Sequence, residues 1–269
     1  MNSVMKDKNE VDVRFAMCFP DVYEIGMSHL GIQILYDMFN QREDVWCERV
    51  YSPWLDLHKI MKEEQIPLFA LESQDPIRDF DFLGITIQYE MCYTNILQIL
   101  DLSRIPHHSR DRGEADPIVI GGGPCTYNPE PLAEFFDIFY IGEGETVYDE
   151  LLDAYKEYRA AGKSRIEFLE RAAQIEGLYV PMFYDATYHE DGTLASFAPN
   201  NEHAPSVIKK TNGTGRNRST VSTGPCRSFH QSNTGPCRFG NSERMYPRMP
   251  FLSGRHAVIV RPESAMWSA

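Results

Sequence analysis

The chain has 269 residues, 42% of them hydrophobic, and a formal net charge of −13. That size supports one substantial core with room for a second small unit, and the acidic balance argues against a nucleic-acid-binding face, which needs clustered Lys and Arg. No apolar run reaches the roughly 18 residues of a transmembrane helix, and the polar start MNSVMKDKNEVDV lacks the apolar stretch of a signal peptide, so a cytoplasmic protein is expected.

The charge is unevenly placed. From Thr211 onward there are 8 Arg, no Lys and 2 Glu, so the first 210 residues are strongly acidic and the remainder is basic. Six Cys stand at 18, 47, 92, 125, 226 and 237 with no CxxC pair, which argues against a disulfide framework and a zinc site. Cys18, Cys47 and Cys92 read as small buried apolar residues.

Taken in order, Val13–Phe19 reads as a strand stopped by Pro20-Asp21. Ser28 is placed to cap a helix running to about Phe39, with Leu30, Ile34, Leu35 and Met38 at helical spacing. Trp46–Tyr51 is a second strand, and Ser52 is placed to cap a helix with Pro53 at its first position. Leu68–Leu71 is a third strand candidate, and Phe82–Gln88 is a buried strand rich in β-branched residues. A helix over Tyr93–Leu102 and a charged loop over Ser109–Asp116 follow.

The stretch PIVIGGGPCTYNPEPLAEFFDIFYIGEGE, Pro117 to Glu145, reads as strand, Gly-rich loop, short helix, strand, Gly-rich loop. Its apolar runs, Ile118–Ile120 and Ile138–Ile141, are short enough for fully buried parallel strands. An amphipathic helix from Thr146 to about Tyr158 follows. Strands alternating with helices at this spacing predict an α/β fold, a Rossmann-like, doubly wound parallel sheet over 11–160. Such sheets bind ligands outside the carboxyl ends of their strands, which selects four loops: Pro20–Ser28, Gln88–Met91, Gly121–Cys125 and Gly142–Glu145.

Past Gly162 the pattern changes. A helix over Arg165–Ala173 leads to Gly177–Tyr184 and Thr193–Phe197, which flank the hairpin signal Asp191-Gly192. The region 161–210 therefore reads as a helix plus β-hairpin ending in a linker, Ala198–Lys210. The tail, 211–269, is aperiodic and is expected to be poorly ordered.

The Gly-rich loops match no phosphate-binding fingerprint. GGGPCT has Thr126 where a dinucleotide site needs its third Gly, and GEGET lacks the Gly-Lys-Ser/Thr of a P-loop. Glu143 and Glu145 would repel an anion; they suit hydrogen bonds from ribose or amide groups, or a cap on the next helix. His29, His58, His107 and His108 show no metal spacing, and His29 reads as a surface residue or one supporting a neighbour. Cys125 has no Cys-His-Asn order around it and is not assigned a catalytic role.

Together, FPDVYEIGMSHLG, IGGGPCTYNPEPLAEFFD and IGEGE resemble the N-terminal domain of radical S-adenosylmethionine (SAM) proteins that carry a cobalamin-binding-type domain before the radical domain. The resemblance covers about Val11 to Lys210. It implies a domain that holds cobalamin, or descends from one that did. The cofactor-contacting residues it suggests are Asp21, Tyr23, Gly26, Met27, Ser28, Gln88, Glu90, Gly121, Gly122, Gly123, Pro124, Gly142, Glu143 and Gly144. The Asp-x-His-x-x-Gly motif by which related domains ligate cobalt is absent, so a corrinoid would bind without a protein His on cobalt. No Cys-x-x-x-Cys-x-x-Cys motif is present either. The [4Fe–4S] cluster, S-adenosylmethionine and the radical SAM barrel domain are therefore expected only in an intact parent protein, and this chain alone is expected to be inactive. Three readings stand: the cofactor-binding part of a radical enzyme, a stand-alone corrinoid carrier or sensor, or a scaffold for protein contacts.

The tail also reads as an out-of-frame copy of that missing part. Met245-Tyr246 must be ATG-TAY and Met249-Pro250 must be ATG-CCN; one base later each contains a Cys codon, TGT and TGC. Leu252-Ser253 permits a third, which spells C-x-x-x-C-x-x-C. The expected shift lies between about Lys209 and Pro225.

Overall fold

The computed structural model describes residues 3–144 and 147–211; of the region read as a tail only Thr211 is described, and the readings made of 212–269 lie outside the described residues. Strands β1 (Val13–Phe19), β2 (Val45–Tyr51), β3 (Phe82–Thr86), β4 (Ile118–Gly122), β5 (Ile138–Tyr140) and β6 (Leu178–Tyr179) form one sheet in the order β2-β1-β3-β4-β5-β6. The first five are parallel and β6 runs antiparallel to β5.

Alternating side chains feed two cores, one on each face, because successive residues of a strand point to opposite sides. Val13, Phe15, Met17 and Phe19 of β1 enter one core, with Phe82, Ile120, Ile138 and Tyr140. Ala16 and Cys18 enter the other, with Leu83, Ile85, Val119 and Phe139. Helices α2 (Leu30–Asn40), α5 (Tyr148–Ala160) and α6 (Arg165–Ala173) contribute to the first core, while α4 (Tyr93–Leu102) fills the second. The doubly wound α/β expectation holds. Cys18, Cys47 and Cys92 are buried free thiols and Cys125 is partly exposed.

Local expectations are corrected in four places. Helix α2 is capped by His29, whose Nδ1 accepts from the Ile32 amide at 3.3 Å, so Ser28 lies outside it; a separate short helix, α1 (Tyr23–Gly26), precedes it. Helix α3 (Leu55–Glu63) starts after Trp54 and not after Ser52, whose hydroxyl is turned inward to Gln98 at 3.1 Å. Leu68–Leu71 is not a sheet strand. Its backbone folds back on itself, Phe69 bridging Pro76 with Gln74 at φ 63°, and only Leu71 reaches β2, donating to Arg49 O at 2.9 Å. Pro67 and Pro76, which carry no amide donor, suit that local turn and not a ladder. Finally, Leu178–Tyr179 is the edge of the main sheet and not the first arm of the hairpin, which is β7 (Tyr184–Tyr188) with β8 (Leu194–Pro199).

The region read as a linker is packed down. Ala204 and Ile208 are buried, and so is Thr211, the first residue of the region expected to be poorly ordered, which forms a parallel bridge with Gly142. The chain is thereby led back to the carboxyl end of β5.

Candidate functional site

Four parallel strands deliver the four selected loops to one edge, since parallel neighbours end on the same side. The fourteen residues singled out in the sequence all stand at this edge, Gly121 and Gly122 as the last two residues of β4 itself.

After β1, Asp21 stitches the loops together. Its Oδ1 accepts from the Val22 amide at 2.8 Å and its Oδ2 from the Tyr89 hydroxyl at 2.8 Å. Gly26 is buried, and a Cβ there would stand 2.6 Å from the Tyr51 ring. Tyr23 packs edge-on against the same ring, with centroids 5.2 Å apart. The Met27 carbonyl accepts from the Gln33 side chain at 2.8 Å, and Ser28 is exposed. His29 is occupied by its capping bond, and burial lowers its pKa against the opposing effect of a hydrogen bond with the Gln88 side chain. It is therefore neutral at neutral pH, and its ring serves the fold.

After β3 and β4 the backbones interlock. Ile87 N donates to Gly122 O at 2.6 Å, and Cys125 N donates to Ile87 O at 3.1 Å. Gln88 Nε2 donates to Thr86 Oγ1 at 2.5 Å. The three consecutive glycines differ sharply. A Cβ on Gly121 would lie 2.7 Å from the Phe139 ring, whereas one on Gly122 would meet only the Tyr148 hydroxyl, at 3.8 Å. Gly123 has φ 99°, a conformation glycine adopts without strain. Pro124 opens the short turn Pro124–Tyr127, held by Thr126 Oγ1 donating to Gly123 O at 2.8 Å. Glu90 is exposed. The Cys125 thiol is shifted up, by burial first and then by the Glu90 carboxylate, so it is a poor nucleophile.

After β5 the loop is covered by the chain itself. Gly142 has φ 150°, and a Cβ there would overlap Thr211. Glu143 N donates to Thr211 O at 3.3 Å, and its carbonyl accepts from the Tyr140 hydroxyl. A Cβ on Gly144 would stand 3.3 Å from Leu35. Neither Thr211 nor the Tyr140 hydroxyl was among the expected site residues; the GEGE motif carries no sign of a partner so distant in sequence.

No group of three or more His, Cys, Asp or Glu among the described residues could hold a metal ion. A cavity of about 200 Å³, lined by Arg112, Asp137, Arg165 and Met182 among others, lies elsewhere, beside the residues that lead into β4 and β5 at the amino edge. No helix among the described residues is long and apolar enough to cross a membrane.

Fold and edge together define a doubly wound α/β domain of the kind that receives a ligand across its strand ends. The family model for the N-terminal part of radical SAM proteins matches residues 31–181, more than half of the chain. This chain belongs to that family. An uncharacterized protein of Methanocaldococcus jannaschii is 29% identical over 131 residues, covering 48% of this chain and 24% of that protein. Among solved structures, the radical S-adenosylmethionine methyltransferase TsrM of Kitasatospora setae, with tryptophan substrate and a SAM analog bound, aligns with a TM-score of 0.36 at 16% identity, over 66% of this chain and 29% of that one. The chain thus spans about a quarter of the length of the relatives it matches.

Proposed function

We propose that this chain is the cofactor-binding N-terminal part of a radical SAM enzyme, and that its ligand is a corrinoid lying on the carboxyl edge over Gly122. The observation that carries the reading is the clearance at Gly122, where a Cβ would clash with nothing and would meet only the Tyr148 hydroxyl at an ordinary 3.8 Å, in contrast to Gly121 and Gly123 on either side. The residues present fit a corrinoid in a particular way. Gly122, Gly123 and Pro124 would hold it through backbone, with Gln88, Glu90 and Ser28 as polar neighbours. His29 Nδ1 accepts from the Ile32 amide and the side chain also interacts with Gln88, so His29 would be a poor ligand for cobalt. The carboxyl end of β5 is occupied by Thr211, which confines a ligand to the β1, β3 and β4 loops. When bound, a corrinoid supplies the organometallic and radical chemistry of its cobalt, and the protein supplies position and exclusion of water.

The cluster, S-adenosylmethionine and the substrate belong to a radical SAM barrel domain in the intact parent. The acidic balance suits a small-molecule partner better than a nucleic acid.

The test is a visible-absorbance titration of the purified chain with hydroxocobalamin, repeated with Gly122→Val. The expected result is saturable binding that the variant loses without a change in its melting temperature. No spectral change in the unaltered chain sinks the reading, and equal affinity in Gly122→Val sinks the placement.

A further inference from the structure

The cavity at the amino edge lies between the segment that leads into β4 and the first turns of α6. Two arginines in its wall share one carboxylate oxygen: Arg112 Nη1 and Arg165 Nη2 donate to Asp137 Oδ2 at 2.9 and 2.8 Å. The Arg112 side chain is fully buried and Arg165 is 9% exposed. Two guanidinium charges against one carboxylate leave a positive excess, and a buried charge without a partner is costly. Burial lowers the Arg112 pKa against the pull of Asp137, and the neighbouring Arg165 charge lowers it further.

The donors around the cavity are unequally used. Arg112 gives its other bonds to the Pro106, His107 and Phe135 carbonyls. Arg165 gives Nη1 to the Gly113 and Asp116 carbonyls, and Nη2 to the Pro117 carbonyl as well as to Asp137. Its Nε is buried without a partner, and an unsatisfied donor on a charged group costs more than one on a neutral group. At the rim the Arg110 side chain is 74% exposed, its Nε 4.0 Å from Asp111 Oδ1. The acidic neighbours are committed elsewhere. Glu114 turns both oxygens to the Arg165 amide, at 2.8 and 2.9 Å, and Asp116 pairs with Arg78 at 3.3 Å. Helix α6 begins at the same wall, so the partial positive charge of its first turn adds to the field. Ile166, Leu169 and Met182 make part of the wall apolar.

We propose that the amino-edge cavity binds a small organic carboxylate, whose oxygens accept from Arg165 Nε inside and from the Arg110 guanidinium at the rim, and whose short hydrocarbon part lies against Ile166, Leu169 and Met182. At about 200 Å³ the cavity is smaller than the roughly 300–1,000 Å³ of pockets for drug-sized ligands, which suits an acid of few carbons. The apolar wall selects a carboxylic acid over phosphate, which has no hydrocarbon part to place there. The site stands apart from the carboxyl edge and from any corrinoid.

The experiment follows the Met182 methyl resonance of the 269-residue chain, isotope-labelled in its methionine methyl groups and free of cobalamin, as sodium butyrate is added at constant ionic strength. That resonance, assigned from Met182→Leu, should move saturably while that of Met91 on the carboxyl edge stays in place. Butylamine, a cation of the same length, should leave it unmoved, and inorganic phosphate should bind about tenfold more weakly or less, since it forgoes the apolar contact. Arg110→Ala, at an exposed position, should weaken butyrate about tenfold, the worth of one charge-assisted hydrogen bond. Ile166→Asp sets a carboxylate at the mouth, in a first helical turn that favours it, and should abolish the shift. The proposal is overturned by a Met182 resonance that ignores butyrate, by an equal response to butylamine or phosphate, or by unchanged butyrate affinity in either variant. The comparison of ligands uses the unaltered chain, so it decides the matter even if a variant fails to fold.

Discussion

Gly121, Gly122 and Gly123 are adjacent and serve different ends. Gly121 lets Phe139 and Ile87 pack where its own side chain would be, Gly123 turns the chain through a positive φ, and Gly122 alone leaves space above the sheet. Gly121→Val is therefore expected to overpack the core and cost about 1–3 kcal/mol, while Gly122→Val stays within about 0.5 kcal/mol of the unaltered chain. Urea unfolding of the pair checks this, and equal losses would contradict the assignment. Asp137 shows the same dependence on surroundings. It is fully buried and accepts from Ser109 at 2.6 Å, Val119 N at 2.7 Å, Arg165 at 2.8 Å and Arg112 at 2.9 Å. Asp137→Ala would strand two buried guanidinium groups, and a loss of about 3–5 kcal/mol is expected in the same measurement.

Among the elements, the crossover between β4 and β5 is pinned by a hydrogen bond whose strength depends on pH. Tyr179 on β6 donates to Glu130 Oε1 at 2.6 Å. Burial raises the Glu130 pKa, and the Tyr179 hydroxyl only partly opposes that rise. Between the ordinary glutamate range and the raised value, the folded protein holds more protons than the unfolded chain, so this group makes stability fall as pH rises through that window. Glu130→Gln keeps an acceptor for Tyr179 and carries no charge. Its unfolding free energy, measured by urea from about pH 4 to 8, should lack the decline that Glu130 contributes. Identical pH profiles for the two proteins would show that Glu130 is not the group responsible.

At the scale of the whole molecule, the chain lacks the three clustered Cys that radical SAM chemistry needs. Anaerobic reconstitution with iron and sulfide, followed by incubation with S-adenosylmethionine and reductant, should yield no 5′-deoxyadenosine; its formation would refute the assignment of catalysis to another part. The coding sequence offers a separate check. Codons 243–255, read one base later, should spell Cys-x-x-x-Cys-x-x-Cys. Two of those cysteines are forced by Met245-Tyr246 and Met249-Pro250, so the third, at Leu252-Ser253, is the informative one. Any other codon pair there removes the out-of-frame reading of the tail.

Much of this was legible in the linear sequence because its causes are local. Short apolar runs bounded by turn residues, such as Phe82–Thr86, favour buried strands, although Leu68–Leu71 shows that such a run can stay out of the sheet, and glycines grouped at the end of such runs mark strand ends. Capping was less legible, since His29 supplanted Ser28 and Trp54 supplanted Ser52 through packing that propensity does not record. What lay beyond reach depends on residues far apart in the chain. Which of three identical glycines is open depends on where Phe139 and Tyr148 fall, and whether the Gly142 loop is free depends on Thr211, 69 positions away. The sequence alone determined a doubly wound α/β sheet with its loops on one edge, because periodicity and glycine placement are properties of short segments. Only the tertiary structure decided which part of that edge is open and where the chain leaves it, because the volume left beside a backbone is set by whatever distant side chains pack there.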